Sequence, residues 1–153
     1  MLMTTTKQFF HMAAAALITL LSSNLAANEI ITSAVDQYVR VQTRGLPGRV
    51  DVTVAALDPR TQVSSCTALD PFTPPGNRLW GKTMVGVRCL APAAWTIYVP
   101  VQVRVYAPYV VTNRPISAGQ LLSATDLDSR EGDLTTLPTG IITAPGQGVG
   151  KAL

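Results

Sequence analysis

Residues 95–106 read WTIYVPVQVRVY, with an apolar side chain at nearly every second position. Successive side chains of a β-strand point to opposite faces of the sheet, so this period of two predicts a strand with one buried face. Pro100 has no N–H to donate, which predicts a sheet edge or a bulge at this position. The predicted buried face consists of Trp95, Ile97, Val99, Val101, Val103 and Val105, opposite Tyr98, Gln102, Arg104 and Tyr106.

Two earlier segments show the same alternation. Residues 78–90 read RLWGKTMVGVRCL and residues 50–57 read VDVTVAAL. Turn-forming Gly and Pro residues lie between the three segments, which predicts a small antiparallel β unit. Gly81 and Gly86 stand inside the second segment and predict either a bulge or a close backbone approach. Pro71 to Asn77 contains three prolines and reads as a stiff, irregular loop.

A short amphipathic helix is predicted for residues 29–40, which read EIITSAVDQYVR. Its apolar residues recur at helical spacing, as expected of a stripe that packs on the β unit, with a partner-binding face as the alternative. The stripe consists of Ile31, Ala34, Val35 and Tyr38.

The N-terminal residues have the order of a secretory signal peptide, which we place at 1–27. Lys7 precedes a largely apolar run at 9–21, and small residues follow it. This run is shorter than the roughly 20 residues that span a membrane, although a retained N-terminal anchor stays open as an alternative. Cys66 and Cys89 are the only cysteines, and an even number in an exported chain predicts a disulfide. Closing that loop contributes about 3 kcal/mol in the chain-entropy model.

Residues 114–140 read RPISAGQLLSATDLDSREGDLTTLPTG and predict a second unit built from turns and a capped single-turn helix. Ser123 has the character of an N-cap, and Asp126 in the first turn suits the helix dipole. We place a boundary near residue 107, which gives a β domain at 28–107 with a short helix and a second domain at 108–153. That second domain reads as partial, because strands that would cover Val110, Leu122 and Leu127 are not evident. A shortened or fragmentary copy is therefore one expectation.

The acidic residues of the second unit form the only carboxylate cluster in the sequence. We interpret them as solvated turn charges, because neither a calcium-loop spacing nor a two-carboxylate cleft can be read from their pattern. An exported hydrolase that uses Asp126, Asp128 or Glu131 remains an alternative. The cluster consists of Asp126, Asp128, Glu131 and Asp133.

Composition argues for binding and against turnover. The chain has 12 basic and 9 acidic residues, so removal of Lys7 with the signal peptide leaves 11 against 9. This excess is too small to suggest a nucleic-acid partner. The only histidine, His11, lies in the predicted signal peptide, which removes Ser-His-Asp and Cys-His catalysis and the commonest metal ligand from the mature chain. We predict no catalytic, cofactor-binding or metal-binding residue.

One ordered set of residues consists of Cys66, Pro71-Phe72, the run from Pro75 to Gly81, the run from Val85 to Cys89, Pro92 and the run from Trp95 to Val101. This set resembles the N-terminal domain of the flagellar P-ring assembly chaperone family (FlgA). The continuation is similar to the SAF (antifreeze-like, β-clip) domain of that family. The matching residues are Arg114-Pro115, Gly119-Gln120, Asp126-Leu127, Arg130, Gly132-Asp133-Leu134, Leu137-Pro138, Gly140 and Val149-Gly150-Lys151.

The resemblance implies a mainly β protein with short helices, in which a small disulfide-linked antiparallel β domain precedes a partial SAF/β-clip domain. It implies a periplasmic chaperone of Gram-negative bacteria that assists polymerisation of the P-ring protein around the flagellar rod, without catalysis or cofactor. Members of the family usually continue beyond the Val-Gly-Lys segment. The alternatives are a periplasmic carbohydrate-binding SAF-type module, a non-functional truncated copy, and an anchor-like protein of pilus assembly, against which the Cys66 to Trp95 pattern argues.

Candidate contacts with the P-ring protein are basic or aromatic residues at predicted outward or edge positions. We expect subunits to be held by β surfaces, by an exposed groove and by a strand edge that the shortened C-terminal part leaves open. No membrane span is expected after signal cleavage, and no oligomeric state is predicted. The candidate residues are Arg78, Trp80, Lys82, Arg104 and Arg114.

Overall fold

The computed structural model describes residues 27–58 and 60–152. Apart from Ala27, the predicted signal peptide lies outside them. An α-helix, α1, covers residues 27–42. The strands are β1 (Arg49–Val54), β2 (Leu69–Phe72), β3 (Gly81–Cys89), β4 (Trp95–Thr112) and β5 (Leu127–Asp133). Single 3-10 turns cover Ala124–Asp126, Leu134–Thr136 and Pro145–Gln147. The mainly β class is confirmed.

The long strand β4 organises one antiparallel sheet. The strand order is β1-β4-β3-β2, and β5 pairs with the C-terminal half of β4. On one side, β4 pairs with β1 from Val101 to Tyr106. On the other side, β3 pairs with β4 up to Val103, and β5 takes over from Tyr106 to Thr112. The strand predicted at 95–106 is confirmed, and it continues past residue 107. The division of the chain there stays a prediction.

Two prolines bracket the stretch of β4 that β1 uses. In an antiparallel pair the N–H and C=O of one residue point to the same side. The Pro100 carbonyl accepts from Ala55 N at 3.0 Å, so its missing N–H faces the β1 side, just beyond the end of β1 at Val54. Val110 N donates on that same side to Ile142 O at 2.9 Å, so Pro108 also faces it, beyond Arg49. The predicted edge at Pro100 is thus confirmed locally, although β4 is a central strand.

The core lies between α1 and the predicted apolar face of β4. Ile31, Val35 and Val39 of α1 are buried against odd-numbered valines of β3 and β4. Tyr38 lies at the margin of the cluster, so the packing stripe is centred one residue away from the predicted one. The side chains with the least exposure are seven valines, each of which stabilises the fold by about 1.5 kcal/mol. They are Val35, Val39, Val85, Val87, Val99, Val103 and Val105.

The predicted disulfide is confirmed. It joins Cys66 to Cys89 with a Cα–Cα distance of 5.8 Å, and the described residues include no free cysteine. The bond ties the loop before β2 to the end of β3. β2 itself corrects an expectation, because Pro71 and Phe72 were assigned to an irregular loop. They lie in an edge strand, where a proline is tolerated because one side of the strand needs no hydrogen bonds.

The expectation that Leu122 would lack cover is wrong. Only 7% of Leu122 is exposed, since the C-terminal residues return to it. Leu122 N donates to Lys151 O at 3.0 Å, and Gly150 N donates to Leu122 O at 2.8 Å. Gly148 is buried beside Leu127 and Ile142, and a Cβ there would meet the end of the Ile142 side chain. Leu122 is therefore buried by residues in turns, whereas strands were expected to bury it.

Candidate functional site

A groove of about 680 Å³ opens between three loops. They are the 42–47 turn after α1, the 73–80 loop before β3 and the 134–143 segment after β5. The apolar part of its lining consists of Leu46, Leu79, Trp80, Leu134, Leu137 and Ile141. Concave apolar surface of this size is typical of binding sites.

Hydrogen bonds to α1 hold the first two walls of the groove. Tyr38 OH accepts from Thr73 N at 3.0 Å and lies 3.1 Å from Thr73 Oγ1, which attaches the 73–80 loop to the helix. Thr43 is buried and donates from Oγ1 to Val39 O at 2.8 Å, and its carbonyl accepts from Leu46 N at 3.0 Å. The loop and the turn are therefore positioned by the same helix that covers the core.

Asp133 holds the third wall. Its Oδ1 accepts from Thr135 N at 3.0 Å, from Thr135 Oγ1 at 2.7 Å and from Val105 N of β4 at 3.3 Å. Partial burial raises the pKa of Asp133, but the hydrogen bonds from Thr135 and Val105 outweigh this effect and place the pKa below its usual value. These bonds pin the turn that contains Leu134 against the core.

Arg78 and Trp80 both line the groove. The Arg78 side chain is exposed and has no ion pair with any described residue. Trp80 is partly buried and packs against the core. Gly81 follows with φ of 66°, a backbone conformation that favours glycine, so the chain turns sharply into β3 directly after Trp80.

Lys82 and Arg104 lie elsewhere, on the outer face of the sheet. This face is the one that points away from α1, and Lys82 pairs there with Gln102 while Arg104 pairs with Asp51. Both cations are exposed. The five predicted partner contacts are therefore not one cluster, since two line the groove and two lie on the outer face.

Arg114, the fifth candidate, binds a carboxylate within the second unit. Its Nε and Nη2 lie 2.8 and 2.7 Å from Asp126 Oδ1, while Ser123 N and Oγ donate to Asp126 Oδ2 at 3.0 and 2.8 Å. The predicted N-cap at Ser123 is confirmed. Hydrogen bonds from the Ser123 backbone and side chain lower the pKa of Asp126 most, and Arg114 lowers it further. The prediction of solvated turn charges is wrong for Asp126, because its side chain is only 7% exposed.

The remaining carboxylates of that cluster lie on β5. Asp128 and Glu131 are exposed on this strand, which the sequence had suggested was a turn. Across the described ranges no group of three or more His, Cys, Asp or Glu side chains is placed to hold a metal ion. A hydrolase would need a carboxylate with a raised pKa in a cleft, whereas Asp126 has a lowered one and lies outside the groove.

The outer face carries an aromatic cluster that sequence reasoning did not identify as one. The Phe72 ring covers Gly86 so closely that a Cβ there would overlap it, so the group that approaches Gly86 is an aromatic side chain and not a backbone. The Arg88 guanidinium stacks over the same ring at 4.6 Å and pairs with Asp70 at 2.9 Å. Tyr98 meets Phe72 edge to face at 6.4 Å and is 54% exposed.

The tryptophans do not form an exposed sugar-stacking platform. Trp80 and Trp95 are both partly buried against the core, and Trp95 Nε1 donates to Ser64 O at 3.0 Å. Within the part of the chain that the structure covers, no helix has the length and apolar character needed to cross a membrane.

The fold and two family models define the class of protein. A disulfide-linked antiparallel sheet with one covering helix continues through β4 into a turn-rich unit, and the residues match two family models in that order. The FlgA N-terminal domain matches residues 31–105, and the SAF domain matches residues 107–153.

The chain belongs to the FlgA family. It is 28% identical over 111 residues to the flagella basal body P-ring formation protein FlgA of Yersinia enterocolitica, covering 72% of this chain and 47% of that protein. The chain thus spans about half the length of this curated relative.

Solved structures of Salmonella FlgA share the fold. The closed form matches with a TM-score of 0.56 and 23% identity, covering 78% of this chain and 58% of that one. The open form matches with a TM-score of 0.52 and 23% identity, covering 76% and 52%. At this level of identity the likeness concerns the fold alone.

Proposed function

We propose that this chain is a non-enzymatic chaperone of flagellar P-ring assembly that acts in the periplasm and binds P-ring subunits in the apolar groove. The groove is the observation that carries the proposal, because it presents apolar side chains in a concavity that is open to a partner. The family supports the process, since the relative from Yersinia enterocolitica is a P-ring formation protein. The disulfide suits an oxidising compartment outside the cytoplasm.

The groove can recognise a subunit by two kinds of contact. Leu79, Leu137 and Ile141 give apolar area that an exposed apolar segment of an unassembled subunit can cover. Trp80 adds a large, partly exposed aromatic side chain, and Arg78 adds a cation at the groove; both residue types are enriched among interface hot spots. Binding of this kind protects the segment from aggregation until it is incorporated.

Lys82, Arg104 and Arg114 have separate places in the proposal. Lys82 and Arg104 could make a second, charge-based contact on the outer face, and this would affect the association rate more than the affinity. Arg114 is proposed to contribute through the exposed part of its side chain, which is 48% exposed, while it holds Asp126.

Reversal of the charge at Arg78 tests the groove. Arg60 provides a matched control, because it is also exposed and lies outside the groove. We expect Arg78→Glu to weaken capture of the purified P-ring protein about tenfold, as for a hot-spot residue, and Arg60→Glu to leave it unchanged. Both variants would also be expressed in a strain lacking the P-ring chaperone, where swimming is scored. Equal capture by both variants would count against the groove, and an absence of capture by the unaltered, folded chain would count against the function.

A further inference from the structure

The outer edge of β1 carries hydrogen-bonding groups that no described residue uses. β1 is the terminal strand of the sheet and pairs with β4 on one side. Since Ala55 N donates to β4, the odd-numbered residues of β1 face β4 and the even-numbered ones face outward. The N–H and C=O groups of Val50, Val52 and Val54 therefore point away from the sheet, and none of them bonds to a residue within 27–58 or 60–152.

A cleft of about 280 Å³ runs beside this edge and carries positive charge. It lies between the C-terminal end of α1 and β1, and its lining includes Val50, Val52, Arg40 and Arg44. Arg40 is neutralised by Asp36 at 2.7 Å. Arg44 is exposed, and no carboxylate of the described residues pairs with it.

We propose that the edge of β1 accepts an extended segment of a partner protein as an added strand, with an acidic side chain of that segment facing Arg44. Three consecutive outward-facing residues offer three donors and three acceptors at the two-residue repeat of a strand, which is what strand addition requires. The cleft then admits those side chains of the added strand that lie on the α1 side. The uncompensated Arg44 selects among extended segments for one that carries a carboxylate there.

A second copy of this chain is the less suitable occupant. Pairing of β1 with β1 of another copy about a twofold axis would bring a second Arg44 to the same edge, and neither Arg44 has a carboxylate partner among the described residues. Like charges placed together across an interface are unfavourable. The inference does not depend on the groove or on the P-ring protein as the partner.

Amide exchange on the full chain tests the edge directly, because β1 contains its own control. The amides of Asp51 and Thr53 face β4, whereas that of Val52 faces outward. The probe is a capped synthetic heptapeptide of alternating Val and Thr with a central Glu. In the free chain we expect Val52 to exchange much faster than Thr53. Saturating peptide should slow Val52 at least tenfold and leave Thr53 unchanged.

Three control peptides separate the contribution of the carboxylate from that of the backbone hydrogen bonds. A peptide with Gln in place of Glu should bind the unaltered chain several-fold more weakly and should not distinguish it from Arg44→Gln. A peptide N-methylated at alternate amides should fail to bind when the blocked edge is the one facing β1, and the peptide methylated at the other amides should bind normally.

Val52→Pro removes the outward N–H without touching a bond to β4, and Val52→Thr is its matched control because it keeps both the N–H and the shape. We expect Val52→Pro to weaken peptide binding about fivefold or more, the worth of one net hydrogen bond, and Val52→Thr to change it less than twofold. If Val52→Pro fails to fold, peptide binding to Arg44→Gln and binding of the methylated peptides to the unaltered chain test the proposal. Three results would each overturn the proposal. They are protection of the Val52 amide in the free chain, protection that grows with protein concentration, and peptide binding that leaves the Val52 amide unprotected.

Discussion

Replacement of Tyr38 by Phe removes the hydroxyl that connects α1 to the wall of the groove. The hydroxyl accepts from Thr73 N at 3.0 Å and lies 3.1 Å from Thr73 Oγ1, in a partly buried position. Each neutral hydrogen bond contributes about 0.5–1.5 kcal/mol net, and the Thr73 N–H would be left without its partner. We therefore expect Tyr38→Phe to lower the free energy of unfolding by about 1–2 kcal/mol and the Tm by roughly 5 °C.

Tyr98→Phe is the matched control. Tyr98 is 54% exposed, and its hydroxyl bonds to no described residue, so the same change should cost less than about 0.5 kcal/mol there. The assay is urea unfolding of both variants, followed by far-UV circular dichroism and by tryptophan fluorescence, to which Trp80 in the attached loop and Trp95 both contribute. Because that loop carries Arg78 and Trp80, the Tyr38 variant should also bind the P-ring protein more weakly. The reasoning is refuted if the two Phe variants unfold at the same urea concentration.

Three further changes have defined outcomes. Because the pKa of Asp126 lies below 3.8, the stability that its carboxylate contributes is present above that value and is lost as the pH falls through the lowered pKa. Asp126→Asn should therefore unfold at a lower urea concentration than the unaltered chain at pH 7, and the difference between the two urea midpoints should be smaller at pH 3. Gly86→Ala forces the Phe72 ring aside and should cost about 1–3 kcal/mol in urea unfolding, whereas Gly146→Ala, with open space around it, should cost far less. Reduction of the disulfide should lower the free energy of unfolding by about 3 kcal/mol, so an unchanged urea midpoint in the presence of reductant would contradict the assigned role.

The strands that the sequence predicted are those whose side chains alternate between core and solvent. β4 is the clearest case, since its odd-numbered residues from Val99 to Val105 are buried and show a period of two. β5 gives no such signal. Four consecutive residues from Asp128 to Glu131 are exposed, so this strand is held by backbone bonds to β4 and not by the burial of one face. Its existence depends on the extension of β4 beyond Tyr106, which a local pattern does not encode.

The groove was predicted only in part, for a related reason. Arg78 and Trp80 were identified because they are a basic and an aromatic residue at predicted outward or edge positions. Leu46, Leu137 and Ile141 each lie in a segment rich in Gly or Pro, where the sequence indicates a turn and nothing more. Only the folded chain brings them together, so their shared role had no local signal.

Residues from both matched regions line the groove. Two of its walls come from residues 42–47 and 73–80, inside the region matched by the FlgA N-terminal domain, and the third comes from residues 134–143, inside the SAF domain. The third wall is fixed by Asp133, whose side chain bonds to Val105 N where β3 ends and β5 begins along β4. A shift of β5 by one residue would move Asp133 away from Val105 and turn Leu134 out of the core. The register of β5 on β4 therefore positions the third wall of the groove, and β4 connects the two regions that line it.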